Sequence, residues 1–249
     1  MKKVLSIVSV ALISATMFAG CSQEEKKSEE PTETQISTET KDIHSNPEVK
    51  TPDEALQLLK DGNARFVNGE LANYDLGDEK LAELEKGQKP AAVVITCSDS
   101  RTAPEHFLDQ GLGDIFVVRV AGNVLDHNEI ASVEYAVDHL GTPLVVVLGH
   151  DSCGAVNAAV GVHENPEEAH STEHLDYLIS KITPAVEEAK ASGAEGDELA
   201  EKAIDLNVDN GVKQLQEQSE VIKGKVSSGA LKVVGGSYNF SDGSIAWKN

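Results

Sequence analysis

The sequence predicts an α/β fold, a mostly parallel β-sheet flanked by helices. Three observations carry that expectation. Four apolar runs of strand length stand at residues 91–96, 115–120, 144–148 and 231–234, too short for buried helices. Segments of helical period lie between them, as crossovers between parallel strands require. Two of the runs end in clusters of reactive side chains, "CSDSR" after the first and "GHDSC" after the third. In such sheets ligands bind beyond the carboxyl ends of the strands.

Taken in order, the chain begins outside this fold. Met1-Lys2-Lys3 is a short basic stretch, Val4 to Ala19 is almost uncharged and apolar, and "MFAGC" places small residues directly before Cys21. This resembles a bacterial lipoprotein signal, which implies lipidation at Cys21 and a mature protein outside the cytoplasm, anchored to a membrane. Acyl chains contribute roughly 0.8 kcal/mol per buried CH₂, so two or three hold firmly. From Ser22 to about Val49 the chain is rich in Ser, Thr, Glu and Lys and nearly free of apolar residues. It cannot bury a core and reads as a disordered tether, with His44 solvated. The expected organisation is therefore 1–20 signal, 21–50 tether and 51–249 folded domain.

Thr51, Pro52 and Glu54 form a capping box with proline in the first turn, so a helix starts there. Ala55, Leu58, Leu59 and Phe66 mark its apolar face. A second short helix is expected at 78–86. Helical patterns follow at 129–140, 154–162, 173–191 and 195–219. The tail "YNFSDGSIAW" carries a turn signal and predicts a closing hairpin.

The formal net charge is −21 and the basic residues form no stripe, which disfavours nucleic acid as a partner. Hydrophobic residues make up 40% of the chain, enough for a real core in a domain of this length.

The reactive clusters converge in this topology. Cys97 lies just past the first strand, and His150 and Cys153 just past the third. Two thiolates and an imidazole suit zinc, and His-x-x-Cys lets one turn supply two ligands. The other reading is a Cys97–Cys153 disulfide, open to a protein in an oxidising compartment. It leaves His150 and "SDSR" without a purpose. Of three cysteines, one is the lipidation candidate and two remain, which fits the zinc count.

"CSDSR" followed about fifty residues later by "GHDSCGAV" resembles the β-class carbonic anhydrases. The likeness spans 53–247 and includes "GNARFVNG", "GLGDIFVVRVAGN", "SVEYAVDHLG" and "VVGGSYNFSDG". It implies a β-carbonic anhydrase-like sheet assembled as dimers or higher even multiples, and one Zn²⁺ per chain on Cys97, His150 and Cys153. It also implies reversible hydration of carbon dioxide to bicarbonate by attack of a zinc-bound hydroxide. Asp99 and Arg101 match the catalytic pair. Asp99 also stands close enough to Cys97 to coordinate the metal itself, and Arg101 offers it a charged partner instead. Gln88 matches a substrate-orienting glutamine, and Phe116 and Tyr135 match apolar pocket residues, part of that wall coming from the neighbouring subunit. The backbone N–H of Gly154, at a helix start, would face the bound anion. Two positions depart from the pattern. Val120 stands where many members have asparagine, with little effect expected. Val94 stands where some have a tryptophan of a regulatory bicarbonate pocket, which resembles the constitutively open subtype.

The remaining histidines carry less. His163, His170 and His174 in "HENPEEAHSTEH" are expected in a solvated loop, and His106, His127 and His139 have no evident partners. Two further readings stay open: a non-catalytic zinc- or bicarbonate-binding lipoprotein, and hydrolysis of carbonyl sulfide or carbon disulfide on the same scaffold.

Overall fold

The structure, a computed structural model, describes residues 43–165 and 172–248. The expected signal segment, Cys21, most of the tether and His170 lie outside the described residues. Among those described, no helix is long and apolar enough to cross a membrane.

Five strands of the described residues form one sheet: β1 (Ala92–Thr96), β2 (Ile115–Arg119), β3 (Leu144–His150), β4 (Lys232–Tyr238) and β5 (Ile245–Trp247). Their spatial order is β2-β1-β3-β4-β5. The first four run parallel and β5 turns back antiparallel on β4, so the expected closing hairpin is present. Among the described residues eight α-helices accompany them: α1 (Pro52–Asn68), α2 (Asp78–Leu84), α3 (Pro104–Phe107), α4 (His127–His139), α5 (Gly154–Glu164), α6 (Glu173–Ala191), α7 (Asp197–Gln218) and α8 (Glu220–Ser227).

Strand alternation divides the core. Val93 and Ile95 of β1, with Val145 and Val147 of β3, pack against Val133 and Val137 of α4 and Val208 and Leu215 of α7. Ala92, Val94, Val146 and Leu148 point the other way, onto Ala55 and Leu59 of α1 and onto Phe107 and Leu108. A third cluster joins α5, α6 and α7 through Val156, Ile182 and Leu199, and it contains Cys97 and Cys153. The carboxyl ends of β1 and β3 thus open beside a helical layer.

The α1 capping box forms as expected, Glu54 N–H donating to Thr51 Oγ1 at 3.2 Å and Thr51 N–H to Glu54 Oε2 at 3.0 Å. Elsewhere the structure differs in instructive ways. Residues 43–50, expected in the tether, dock on the domain by polar contacts and by Val49, which packs against the Ala55–Leu59 side of the core. His44 N–H donates to Asn73 O at 2.7 Å, and Asn46 Nδ2 donates to Gln110 Oε1 at 2.9 Å and Asp114 Oδ2 at 2.8 Å. His44 is half-buried, edge-on to Tyr74. A polar segment that cannot build a core can still dock through hydrogen bonds. The helix expected from 195 starts at Asp197, after Gly196 at φ 56°. It gives way to α8 because the Ser219 side chain caps a new first turn, accepting from Ile222 N–H at 3.1 Å. His163 lies within α5 and His174 in the first turn of α6, so neither belongs to a loop.

Candidate metal centre

The site is built where β1 and β3 end. Thr96 pairs with Leu148, so Cys97 emerges beside the Gly149–His150 end of β3. Gly149 is required there, since a Cβ would stand 2.8 Å from Val208 Cγ2. After His150 the chain turns sharply through Ser152, at φ 53°, and delivers Cys153 to the N-cap of α5. The donor atoms of Cys97, His150 and Cys153 all lie within 4.8 Å of one another, and all three residues are buried. Both cysteines are free thiols.

The donor set fits a soft divalent cation. His150 Nδ1 lies 2.9 Å from Asp151 O, which makes it the protonated nitrogen and turns the Nε2 lone pair inward. That Nε2 is buried without a hydrogen-bond partner. An imidazole acceptor in that condition costs stability unless something occupies it. Cys97 is primed as a thiolate: the Cys153 thiol beside it, then the His150 ring and the N–H groups of Asp99 and Gly122, hold its pKa well below the usual thiol value against the effect of burial. Gly122 N–H reaches Cys97 Sγ at 3.3 Å and Asp99 N–H at 3.4 Å. Beside that thiolate, the Cys153 thiol is pushed upward.

Asp99 faces Arg101. Nε donates to Oδ1 at 2.9 Å and Nη2 to Oδ2 at 2.8 Å, while the Arg101 backbone N–H adds a 3.0 Å bond to Oδ1. This guanidinium holds the Asp99 carboxyl well below the usual carboxylate range. Arg101 also lies over the Phe240 ring, 4.0 Å from its centroid, and that ring is 5.1 Å from His150. The backbone around Asp99 is gripped from two sides. Thr102 Oγ1 donates to Cys97 O at 2.7 Å and Asp99 O at 2.9 Å. Arg119, the last residue of β2, donates to the same two carbonyls, Nε at 3.2 Å and Nη2 at 2.6 Å.

Three expected site residues stand apart from this cluster within the chain. Gln88 precedes β1, at the strand's amino end, in the lining of a cavity of about 620 Å³ that also includes Lys50 and Lys89. Phe116 pairs with Val93, three residues before Thr96, and its ring centroid is 6.4 Å from that of Tyr135. Tyr135 is 47% exposed. Both lie near β2, the outer strand of the sheet, whose residues are only half-buried or exposed. Gly154 opens α5 with free space where a side chain would be. Sequence reasoning missed Thr102, Arg119 and Phe240 as parts of the site. Phe240 stands in "VVGGSYNFSDG", which carried a turn signal and part of the family likeness but no role for the ring.

A mostly parallel sheet with a buried Cys–His–Cys centre at its carboxyl edge defines an α/β protein with a group that could hold a metal. Comparison with known proteins narrows this. The family model described as carbonic anhydrase matches residues 92–245. A carbonic anhydrase of Mycolicibacterium smegmatis is 41% identical over 195 residues, covering 78% of this chain and 92% of that protein. The β-carbonic anhydrase CafA of Aspergillus fumigatus superposes with a TM-score of 0.62 at 29% identity, covering 79% of this chain and 90% of that one. A tetrameric β-carbonic anhydrase of Sordaria macrospora gives 0.58 at 28% identity, covering 67% and 84%. The chain belongs to the carbonic anhydrase family, in its β class.

Proposed function

We propose that the chain hydrates carbon dioxide reversibly to bicarbonate and a proton, with one Zn²⁺ held by Cys97, His150 and Cys153. The observation that carries this reading is the buried, partnerless His150 Nε2 facing two thiols, in a member of the carbonic anhydrase family. Zinc, when bound, supplies a water acidic enough to ionise near neutral pH. The chain's own residues do the rest. Arg101 keeps the Asp99 carboxylate ionised and engaged through both oxygens. Asp99 can then accept a hydrogen bond from the nucleophile and orient its lone pair toward carbon dioxide. The open amino end of α5 at Gly154 favours the anionic product.

Gln88, Phe116 and Tyr135 serve in this reading as the wall of a neighbouring subunit's site. The place of Phe116 and Tyr135 near an outer strand, with Tyr135 half exposed, supports assembly as a dimer or higher even multiple. The sequence supports the placement in the cell: a basic start, an apolar stretch and small residues before Cys21 mark a lipoprotein signal over 1–20. The protein then sits outside the cytoplasm on a lipid anchor.

Carbon dioxide hydration by the purified protein, before and after metal removal by a chelator, tests the activity. Activity should vanish with the metal and return with added Zn²⁺. No hydration by fully zinc-loaded protein would overturn the reading. Cys21→Ala should release the protein from the membrane fraction or block its processing, and unchanged fractionation and mature mass would end the lipoprotein proposal.

A further inference from the structure

The Asp99–Arg101 pair is local to one turn, and a local pair cannot by itself fix where its own backbone sits. Asp99 follows Cys97 by two residues, on a segment that has left the sheet at Thr96. A small rotation there would swing the carboxylate, with or without Arg101, toward the three donors. What resists it comes from another strand. Arg119 ends β2, and its guanidinium spans the carbonyls of Cys97 and Asp99 at 3.2 and 2.6 Å. Those carbonyls bracket Ser98, so two fixed points define the whole turn. Thr102 reaches the same pair from within the turn at 2.7 and 2.9 Å. Thr102, however, moves with the segment it bonds, while Arg119 is anchored in the sheet by the Thr96–Arg119 register.

We propose that Arg119 is a positioning residue for the metal centre: its bridge from β2 to the carbonyls of Cys97 and Asp99 holds the turn so that the Asp99 carboxylate stays off the metal. The inference rests on the reading that Asp99 must leave the fourth metal position open. Arginine is suited to this because its planar fork presents two donors in fixed geometry. Lysine carries its donors on one atom at the end of a flexible stem, so it cannot present two in fixed, parallel directions. The bridge also explains a charged residue at the end of a strand that is otherwise apolar.

The test uses Co²⁺-substituted protein, whose visible absorption reports what occupies the fourth position, titrated with thiocyanate. Wild-type protein should bind thiocyanate with a clear spectral change. Arg119→Ala should hold one Co²⁺ per chain but bind thiocyanate at least about tenfold more weakly, because Asp99 competes for the position. Turnover with zinc should fall on the order of 10- to 100-fold, the scale on which small misplacements act. Arg119→Lys should fall between the two, and it carries the test if the alanine variant does not fold. Wild-type thiocyanate affinity in the loaded fraction of both variants would overturn the proposal, even if melting temperature and metal content had dropped, since a purely structural role predicts that pattern. Arg101→Ala is the control for the underlying reading. If it too binds thiocyanate like wild type, the role given to Asp99 fails and this inference with it. If it loses the response while both Arg119 variants keep it, only Arg119's part fails.

Discussion

Arg101 grips Asp99 by both carboxylate oxygens, at 2.9 and 2.8 Å, and stacks its guanidinium on Phe240. The Asp99 side chain is 20% exposed and that of Arg101 54%, so solvent weakens the attraction between them. An exposed ion pair contributes about 0–1 kcal/mol. The two-point geometry matters more here than the energy, because it engages both carboxylate oxygens at once. Arg101→Ala should therefore cut hydration by orders of magnitude while leaving zinc content unchanged. Near-normal turnover in that variant would refute this division of labour.

The three donors should be individually necessary for the metal. His150 is wholly buried, so removing its imidazole leaves a void between two thiols with no replacement ligand. Elemental analysis of His150→Ala, Cys97→Ser and Cys153→Ser should find zinc well below one per chain, with activity lost in proportion. Full zinc in Cys153→Ser would count against the site.

The donors were legible in the sequence because each sits at a strand end, and strand ends follow from apolar run length. The core layers were legible for the same reason. Arg119 was not, because its role depends on register: only the pairing of Thr96 with Arg119 brings its side chain to Cys97. Phe240 was hidden likewise, since it reaches the site through the β4–β5 turn, where its N–H donates to Asp151 Oδ1 at 3.1 Å. The short α3 and the separate α8 escaped periodicity because elements of one or two turns show no repeat. Residues 43–50 misled because composition reports whether a segment can form a core, not whether it can dock on one.

Gly122 links the centre to its helical layer. Its N–H meets Cys97 Sγ, and its carbonyl accepts from Asn207 Nδ2 at 2.8 Å. It adopts φ 66°, and a Cβ there would stand 2.7 Å from Ile182 Cδ1 and 3.1 Å from Ala155 Cβ. Ile182 is fully buried and has little room to yield. Left-handed backbone adds its own cost for any other residue. Gly122→Ala should lower unfolding stability by about 1–3 kcal/mol in denaturant titration. A change under ~0.5 kcal/mol would show that the turn adapts freely.

Asp126 carries a pH dependence separate from the metal. It caps α4, accepting from His127 N–H at 2.8 Å, and ties that helix to α6 through Tyr177 OH and through Lys181 Nζ at 3.0 Å. The Tyr177 hydroxyl first, then Lys181 and the His127 N–H, hold its carboxyl far below the ordinary range. A carboxyl depressed in the folded state contributes stability that is present above its unfolded pKa, near ~3.9, and is lost as pH falls through the lower folded value. Asparagine at this position still caps the helix but has no charge to protonate. Wild type should therefore melt above Asp126→Asn by a constant margin from pH 8 to 5. The margin should shrink steadily below about pH 4, where the unfolded carboxyl takes up its proton. Metal loss in acid affects both proteins alike and cancels in the difference. A margin that closes between pH 8 and 6, or that survives undiminished at pH 2.5, would show that the carboxylate is not what joins α4 to α6.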